Sequence, residues 1–427
     1  MWWATIVLIF LVILLASPKT EYFETVLAEE SPIFRQALPG YKYLFPRDLY
    51  SHDDFRIEWW YYTGNLEVEE TARSFGYQLT FFRVALDEAN RNPNPSQWKI
   101  GHIYFSHMTV TDIDGETFHY FERINRKGIG NAGAHSRRLK VWNEDWSLTN
   151  KDKTHWLKAV ESGTGIELRL VPEKKMVIHG KNGISKKGSK EGNASHYFSY
   201  TRMNTSGTVF LKGKAYKVRG TSWMDREYSS NQLNDELAGW DWFSLKLDNN
   251  KELMVYQLRR KAGGADPFSS GTLVSADGRT RHIKQEDFII TPLSQWTSKR
   301  SDITYPAGWK LELPGSAIQL TLSPDLADQE LYNLRSISAS YWEGSVSVKG
   351  IVRGESVKGK GYVELVGYGK ALKQDLPEQM ARQRFPHQAK LSFKAEVENN
   401  RKVFKIMGFI RLEAGHRICF PLGQKEL

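Results

Sequence analysis

The segment Glu58-Trp59-Trp60-Tyr61-Tyr62-Thr63-Gly64-Asn65-Leu66, answered by Phe75-Gly76-Tyr77-Gln78-Leu79-Thr80-Phe81-Phe82-Arg83, constrains this chain more than any other. In the second run Tyr77, Leu79 and Phe81 alternate with Gln78 and Thr80. A period of two with this aromatic content suits a pleated, half-buried surface and not a helical stripe. Residues 67–74 between the runs are polar and charged, as a solvent-facing connection between paired strands should be. Both runs therefore read as strands of an antiparallel hairpin, and Glu58 among the aromatics points to a cavity.

A related pattern returns where Gly239-Trp240-Asp241-Trp242-Phe243-Ser244-Leu245-Lys246-Leu247 is followed by Leu253-Met254-Val255-Tyr256-Gln257-Leu258-Arg259. Each copy is an aromatic strand with an acidic residue beside Trp, then a polar turn, then an apolar strand ending on Arg83 or Arg259. Two similar β domains in tandem explain the repeat, and 427 residues suit two domains better than one core. Short apolar runs separated by Gly, Asn and Asp turns continue to about residue 370, and helical periodicity is scarce. Such spacing indicates barrels or sandwiches. The expected boundaries are 45–230 for the first barrel and 231–370 for the second. Residues 371–427 change character and carry no functional reading, either as an added strand pair or as a loosely ordered extension.

Hydrophobic residues make up 40% of the chain and aromatics 13%, with 14 Trp and 19 Tyr, enough to bury cores and still line a pocket. Residues 2–16 form an apolar run of signal-peptide length, short for a membrane span. Residues 1–20 are therefore expected to direct export to a secreted or periplasmic location. No Lys or Arg precedes the run and the cleavage site is poor, so an uncleaved membrane anchor is the alternative. One cysteine, Cys419, excludes an intramolecular disulfide and a thiolate metal cluster. The formal charge of +10 suits association with anionic membrane surfaces, or simply a solvated surface. Residues 181–190 concentrate lysines in a Gly/Ser-rich stretch that reads as a mobile loop. No nucleic-acid-binding signature, Gly-rich phosphate loop or Gly-x-Ser-x-Gly elbow is present, so neither nucleic acid nor a cofactor is expected.

Several further motifs carry a resemblance. They are Arg56-Ile57-Glu58-Trp59-Trp60-Tyr61-Tyr62-Thr63-Gly64-Asn65-Leu66, Ser195-His196-Tyr197-Phe198-Ser199-Tyr200-Thr201-Arg202, Trp223-Met224-Asp225-Arg226-Glu227-Tyr228, Gly239-Trp240-Asp241-Trp242-Phe243, Tyr341-Trp342-Glu343-Gly344 and Gly361-Tyr362-Val363-Glu364-Leu365. From about Phe45 to Gly369 the chain resembles the AttH-like family, lipocalin-like secreted proteins that include the carotenoid 1,2-hydratases. The resemblance implies an all-β protein of two tandem lipocalin-like antiparallel β-barrels. It leaves the activity open among predicted hydrolases, ligand binders and cofactor-independent hydratases.

The hydratase branch has a His-x-Trp and a Tyr-x-Asp pair, which fall on His196-x-Phe198 and Trp223-x-Asp225. The resemblance thus implies Asp225 as general acid and His196 as base or orienter. Phe198 and Trp223 replace the family's Trp and Tyr, so a hydroxyl is missing. Leu49 replaces the first His of a family Asp-His-Gly-x-His segment at residues 48–52, which argues against a metal there. Hydrating an isolated alkene needs a strong acid in a dry pocket, aromatic faces for the carbocation and a base for water. Candidate ligand contacts are Trp223, Phe198, Glu58, Trp60, Trp240, Trp242 and Glu227. Each has an architectural alternative: Asp225 in an ion pair, His196 as a satisfied core residue, Arg202 and Arg226 as partners of Glu58 and Glu227. A hydrophobic small molecule is the expected partner. A transporter partner has no support in the sequence.

Overall fold

The computed structural model describes residues 34–86, 101–128, 130–231 and 236–369 in full, and the backbone of three strands beyond them. The expected signal segment lies outside the described residues. No α-helix occurs among those described; short 3-10 turns and strands account for the regular structure.

The first sheet is built from β1 (Ile57–Val68), β2 (Ser74–Ala85), β3 (His102–Asp112), β4 (Thr117–Arg126), β5 (Ala132–Ala134), β6 (Lys140–Asn143) and β7 (Trp146–Lys151). It continues through β8 (Thr154–Glu161), β9 (Thr164–Pro172), β10 (Val177–Ile178), β11 (Ser185–Lys186), β12 (Ala194–Leu211) and β13 (Lys214–Asn231). The predicted hairpin is β1 and β2, antiparallel, with Glu58 opposite Arg83 and Tyr61 opposite Thr80. The strand order β4-β3-β2-β1-β13-β12-β9-β8-β7-β6-β5 bends the sheet into a nearly closed barrel. Side chains bridge its seam: Arg123 Nη1 donates to the Asn143 carbonyl at 3.1 Å, and Asn143 Nδ2 returns a bond to the Arg123 carbonyl at 3.2 Å.

The second sheet contains β14 (Leu237–Leu247), β15 (Glu252–Arg260), β16 (Ser270–Val274), β17 (Thr280–Lys284) and β18 (Ile289–Pro292). A small pair, β19 (Gln295–Thr297) and β20 (Thr304–Pro306), interrupts it. It resumes with β21 (Trp309–Leu313), β22 (Ile318–Pro324), β23 (Glu330–Leu334), β24 (Ala339–Val352) and β25 (Glu355–Val366). The repeat is structural as well. Arg83 ion-pairs with Glu58 in the first hairpin, and Arg259 pairs with Asp241 at 2.9 Å in the second. In the tail, β26 (Ser392–Val397), β27 (Val403–Arg411) and β28 (Arg417–Glu426) form a separate antiparallel sheet.

Each sheet wraps its own apolar core: Leu79, Phe81, Trp146 and Leu168 in the first, Phe243, Trp309, Leu320 and Val363 in the second. Burying one such side chain stabilises the fold by about 1.5–3 kcal/mol. A third cluster joins Tyr61, Tyr197 and Trp223 of the first sheet to Trp242, Met254, Tyr256 and Tyr362 of the second. That aromatic junction, where β1 meets β25 and β12 meets β14, is where the two sheets pack.

Candidate active site

Side chains alternate along a strand, so β1, β12 and β13 each show one face to the first barrel's interior and the other to the junction. On β13, Met224, Arg226 and Tyr228 point inward, while Trp223, Asp225 and Glu227 face the second sheet. The turn at Leu211 and Lys214 sets β12 against β13, but a bulge between Tyr200 and Met203 slips the register by one residue. Asp225 therefore lies opposite Ser199. Without that bulge its partner would be Tyr200, and His196 would share its face.

The expected pairing of His196 with Asp225 is thus corrected. His196 lies opposite Tyr228 and turns into the first barrel. There its ring packs 4.1 Å from Tyr41 and 5.1 Å from Tyr228, and burial lowers its pKa to about 3, so it is neutral. Phe198, Trp60 and Glu58 are also interior residues, away from the junction. Trp60 Nε1 donates to the Leu49 carbonyl at 2.9 Å, and the Arg226 guanidinium lies 4.0 Å from its ring. Burial pushes the Glu58 carboxyl up, but the Arg83 and Arg226 guanidiniums outweigh it and hold it well below the usual carboxylate range. Both arginines bond its oxygens, and the His52 amide donates to Oε2 at 3.0 Å. Arg226 is thus the partner expected for Glu58, whereas Arg202 bonds Glu252 at 2.7 Å.

The junction face assembles different chemistry. Asp225 Oδ2 accepts from the Tyr197 hydroxyl at 2.6 Å, and Oδ1 accepts from Trp223 Nε1 at 2.5 Å and from Ser199 Oγ. Tyr197 in turn accepts from Trp242 Nε1 at 3.0 Å. His179 Nε2 lies 2.7 Å from Ser199 Oγ, and its Nδ1 lies 2.8 Å from Thr272 Oγ1. Because the one Ser199 proton goes to Asp225, His179 must donate from Nε2 and accept at Nδ1. Burial lowers its pKa to about 3, consistent with a neutral ring. For Asp225, burial outweighs the donors from Ser199, Tyr197 and Trp223 and raises its pKa to about 7.

Glu364 joins from β25. Burial raises its pKa to about 7 against the Trp240 indole, which donates to Oε2 at 2.9 Å; the Asp225 and Glu227 charges add to the rise. Glu227 pairs with Lys187 at 3.6 Å. Lys187 is only 8% exposed and lies 3.7 Å from the Tyr256 ring centroid, which corrects the reading of residues 181–190 as a free loop. An ammonium caught between a buried carboxylate and an aromatic face is fixed in place.

Cross-strand register orders these groups into two facing rows. Ser199, Asp225, Tyr61, Thr80 and His107 step across β12, β13, β1, β2 and β3. Trp242, Glu364 and Glu343 step across β14, β25 and β24. Tyr61 packs edge-on against Trp242 at 5.2 Å, and His107 Nδ1 lies 2.9 Å from the hydroxyl of Tyr341 on β24, tying the two sheets at two points. Of the expected site residues, Asp225, Trp223, Glu227, Trp240 and Trp242 come together here. Tyr197, Ser199, Glu364 and Glu343 were carried by the quoted motifs without a role; His179 had no signal at all.

A buried carboxyl that titrates near neutrality, framed by indoles, can deliver a proton to an apolar ligand. The AttH-like family model matches residues 36–368. Kievitone hydratase from Fusarium solani subsp. phaseoli is 27% identical over 278 residues, 61% of this chain and 74% of that protein. Among solved structures, a candidate AttH protein from Nitrosomonas europaea is 31% identical with a TM-score of 0.71, covering 78% of this chain and all of the other. Kievitone hydratase from Nectria haematococca shares the fold with a TM-score of 0.60 at 14% identity, covering 80% of this chain and 99% of its own. This chain belongs to the AttH-like family.

Proposed function

We propose that this chain is an exported, cofactor-independent hydratase that binds an isoprenoid-like or other hydrophobic alkene between its two sheets and adds water to it. The observation that carries this reading is Asp225, buried among Tyr197, Trp223 and Trp242 with a pKa raised to about 7. Among the described residues no Lys or Arg pairs with it. In this mechanism the Asp225 O–H protonates one alkene carbon, and the positive charge on the other is faced by the Trp223 and Trp242 rings. Water adds to the cation and the proton it loses goes to the Glu364 carboxylate, leaving an alcohol; that proton then returns from Glu364 to Asp225, whose pKa is raised to the same value, and resets the site. Tyr197 and Ser199 hold Asp225 in position. His179, bonded to Ser199, is the histidine that orients the acid, in place of His196. Export rests on the apolar run at residues 2–16.

The test is incubation with farnesol or kievitone in heavy-oxygen water, followed by mass spectrometry. The expected product has gained one water carrying the label, and Asp225→Asn retains bound substrate without turnover. Unmodified compound bound by both proteins would make this a lipid carrier, and retained turnover in Asp225→Asn would remove Asp225 as the acid.

A further inference from the structure

The junction holds a second polar feature that alkene hydration does not use. Glu343 is 1% exposed, and neither carboxyl oxygen has a hydrogen-bond partner. The Tyr61 and Tyr341 hydroxyls approach the carboxyl closely enough to lower its pKa, but neither reaches full hydrogen-bond geometry, and the Tyr61 hydroxyl is itself buried without a well-formed partner. Tyr341 is instead held by His107, whose Nε2 lies 2.7 Å from Ser336 Oγ. Three buried polar atoms aimed at one spot cost too much to leave unsatisfied in a working protein. Burial and the neighbouring Glu364 push the Glu343 carboxyl well above its usual range, so it presents a neutral acid that both donates and accepts.

The position of this group relative to the acid is set by register. Trp242, which touches the Asp225 network, is opposite Glu364, and Glu364 is opposite Glu343. Two steps at the ordinary interstrand spacing put Glu343 about 10 Å along the junction from Trp242. Resting on the reading that the ligand lies in the junction, we infer that the ligand is amphiphilic: a hydroxyl group binds Glu343 and Tyr61, while its alkene reaches Asp225 beside Trp242. The hydroxyl donates to the Glu343 carbonyl oxygen and accepts from both the Glu343 O–H and the Tyr61 hydroxyl, satisfying all three groups at once. An all-hydrocarbon ligand of the same length would leave them buried and unpaired, which a site built for a hydroxyl rejects strongly.

Two probes separate these cases: farnesol and farnesene share an isoprenoid chain and differ in the terminal hydroxyl. Affinities of the full chain are read by titration calorimetry. The unmutated protein should bind farnesol tighter than farnesene by about tenfold or more. Glu343→Leu should abolish that preference and leave farnesene affinity unchanged, whereas Glu343→Gln, which keeps shape and hydrogen bonding, should retain it. Tyr61→Phe should reduce it several-fold, and serves if Glu343→Leu fails to fold. Equal binding of the two probes, or a preference that survives both Glu343→Leu and Tyr61→Phe, would mean that Glu343 meets only water and would overturn the inference. Failure of the unmutated protein to bind either probe would overturn the junction as a ligand site altogether.

Discussion

Asp225 and Arg226 are neighbours on one strand, yet they belong to opposite kinds of buried electrostatics. Arg226 points into the first barrel, where it and Arg83 enclose Glu58. Asp225 points into the junction, where it meets hydroxyls, an indole and the raised carboxyls Glu364 and Glu227. Burial is nearly complete on both sides. Matched cations keep Glu58 ionised and make it a clamp for the barrel. Without them, burial keeps a proton on Asp225 close to neutral pH and makes it an acid.

The comparison has opposite signs with pH. The Glu58 carboxyl is lowered, so its stabilisation is present above the ordinary glutamate value and is lost as pH falls. Asp225 is raised to about 7, so the folded state is favoured at acid pH and loses that advantage as pH rises from the ordinary value of 3.8 through about 7.

The largest expected effect lies on the structural side. Glu58→Gln leaves two buried arginines without an anion and should cost about 3–5 kcal/mol in denaturant melts at neutral pH. A loss under about 1 kcal/mol, the range of an exposed ion pair, would break the contrast. Asp225→Asn should lower alkene turnover by about 10²–10⁴-fold. Its stability above pH 7 should be unchanged or higher, because the buried charge is gone. In pH–rate profiles, turnover should fall as pH rises through about 7, where Asp225 loses its proton, and also as pH drops below about 7, where the Glu364 base gains one. Glu364→Gln removes the base as well as a like charge, so it should lower turnover, abolish the low-pH limb and move the high-pH limb to lower pH. The smallest effects separate the two tryptophan environments. Trp60→Phe loses its bond to the Leu49 carbonyl and should cost stability of about 1 kcal/mol from that bond alone. Trp242→Phe frees the Tyr197 hydroxyl and should change turnover before melting temperature.

The strands and their tandem arrangement were legible because period two and aromatic content act locally, as in Tyr77, Leu79 and Phe81. Asp225, Trp240 and Trp242 were legible as chemistry-bearing residues through their motifs. His196 was misplaced because its face depends on a single bulge between Tyr200 and Met203, which no residue type there announces. Trp59 and Trp60 show the same limit: alternation says that one faces each way, and only the tertiary fold says that Trp60 is interior. Glu364, Glu343 and His179 reach the site by packing of the second sheet and of a connection onto the first. Lys187 was hidden because glycines and serines around it resemble a free loop, whereas Glu227 and Tyr256 hold it.

The central claim is that Asp225 carries a proton near neutral pH. Carbon-13 NMR of protein labelled at aspartate carboxyls, titrated beside Asp225→Asn to assign the signal, reads it without any substrate. The account predicts that the signal absent from the variant titrates near pH 7. Titration near pH 4, the range of an ordinary aspartate, would contradict it.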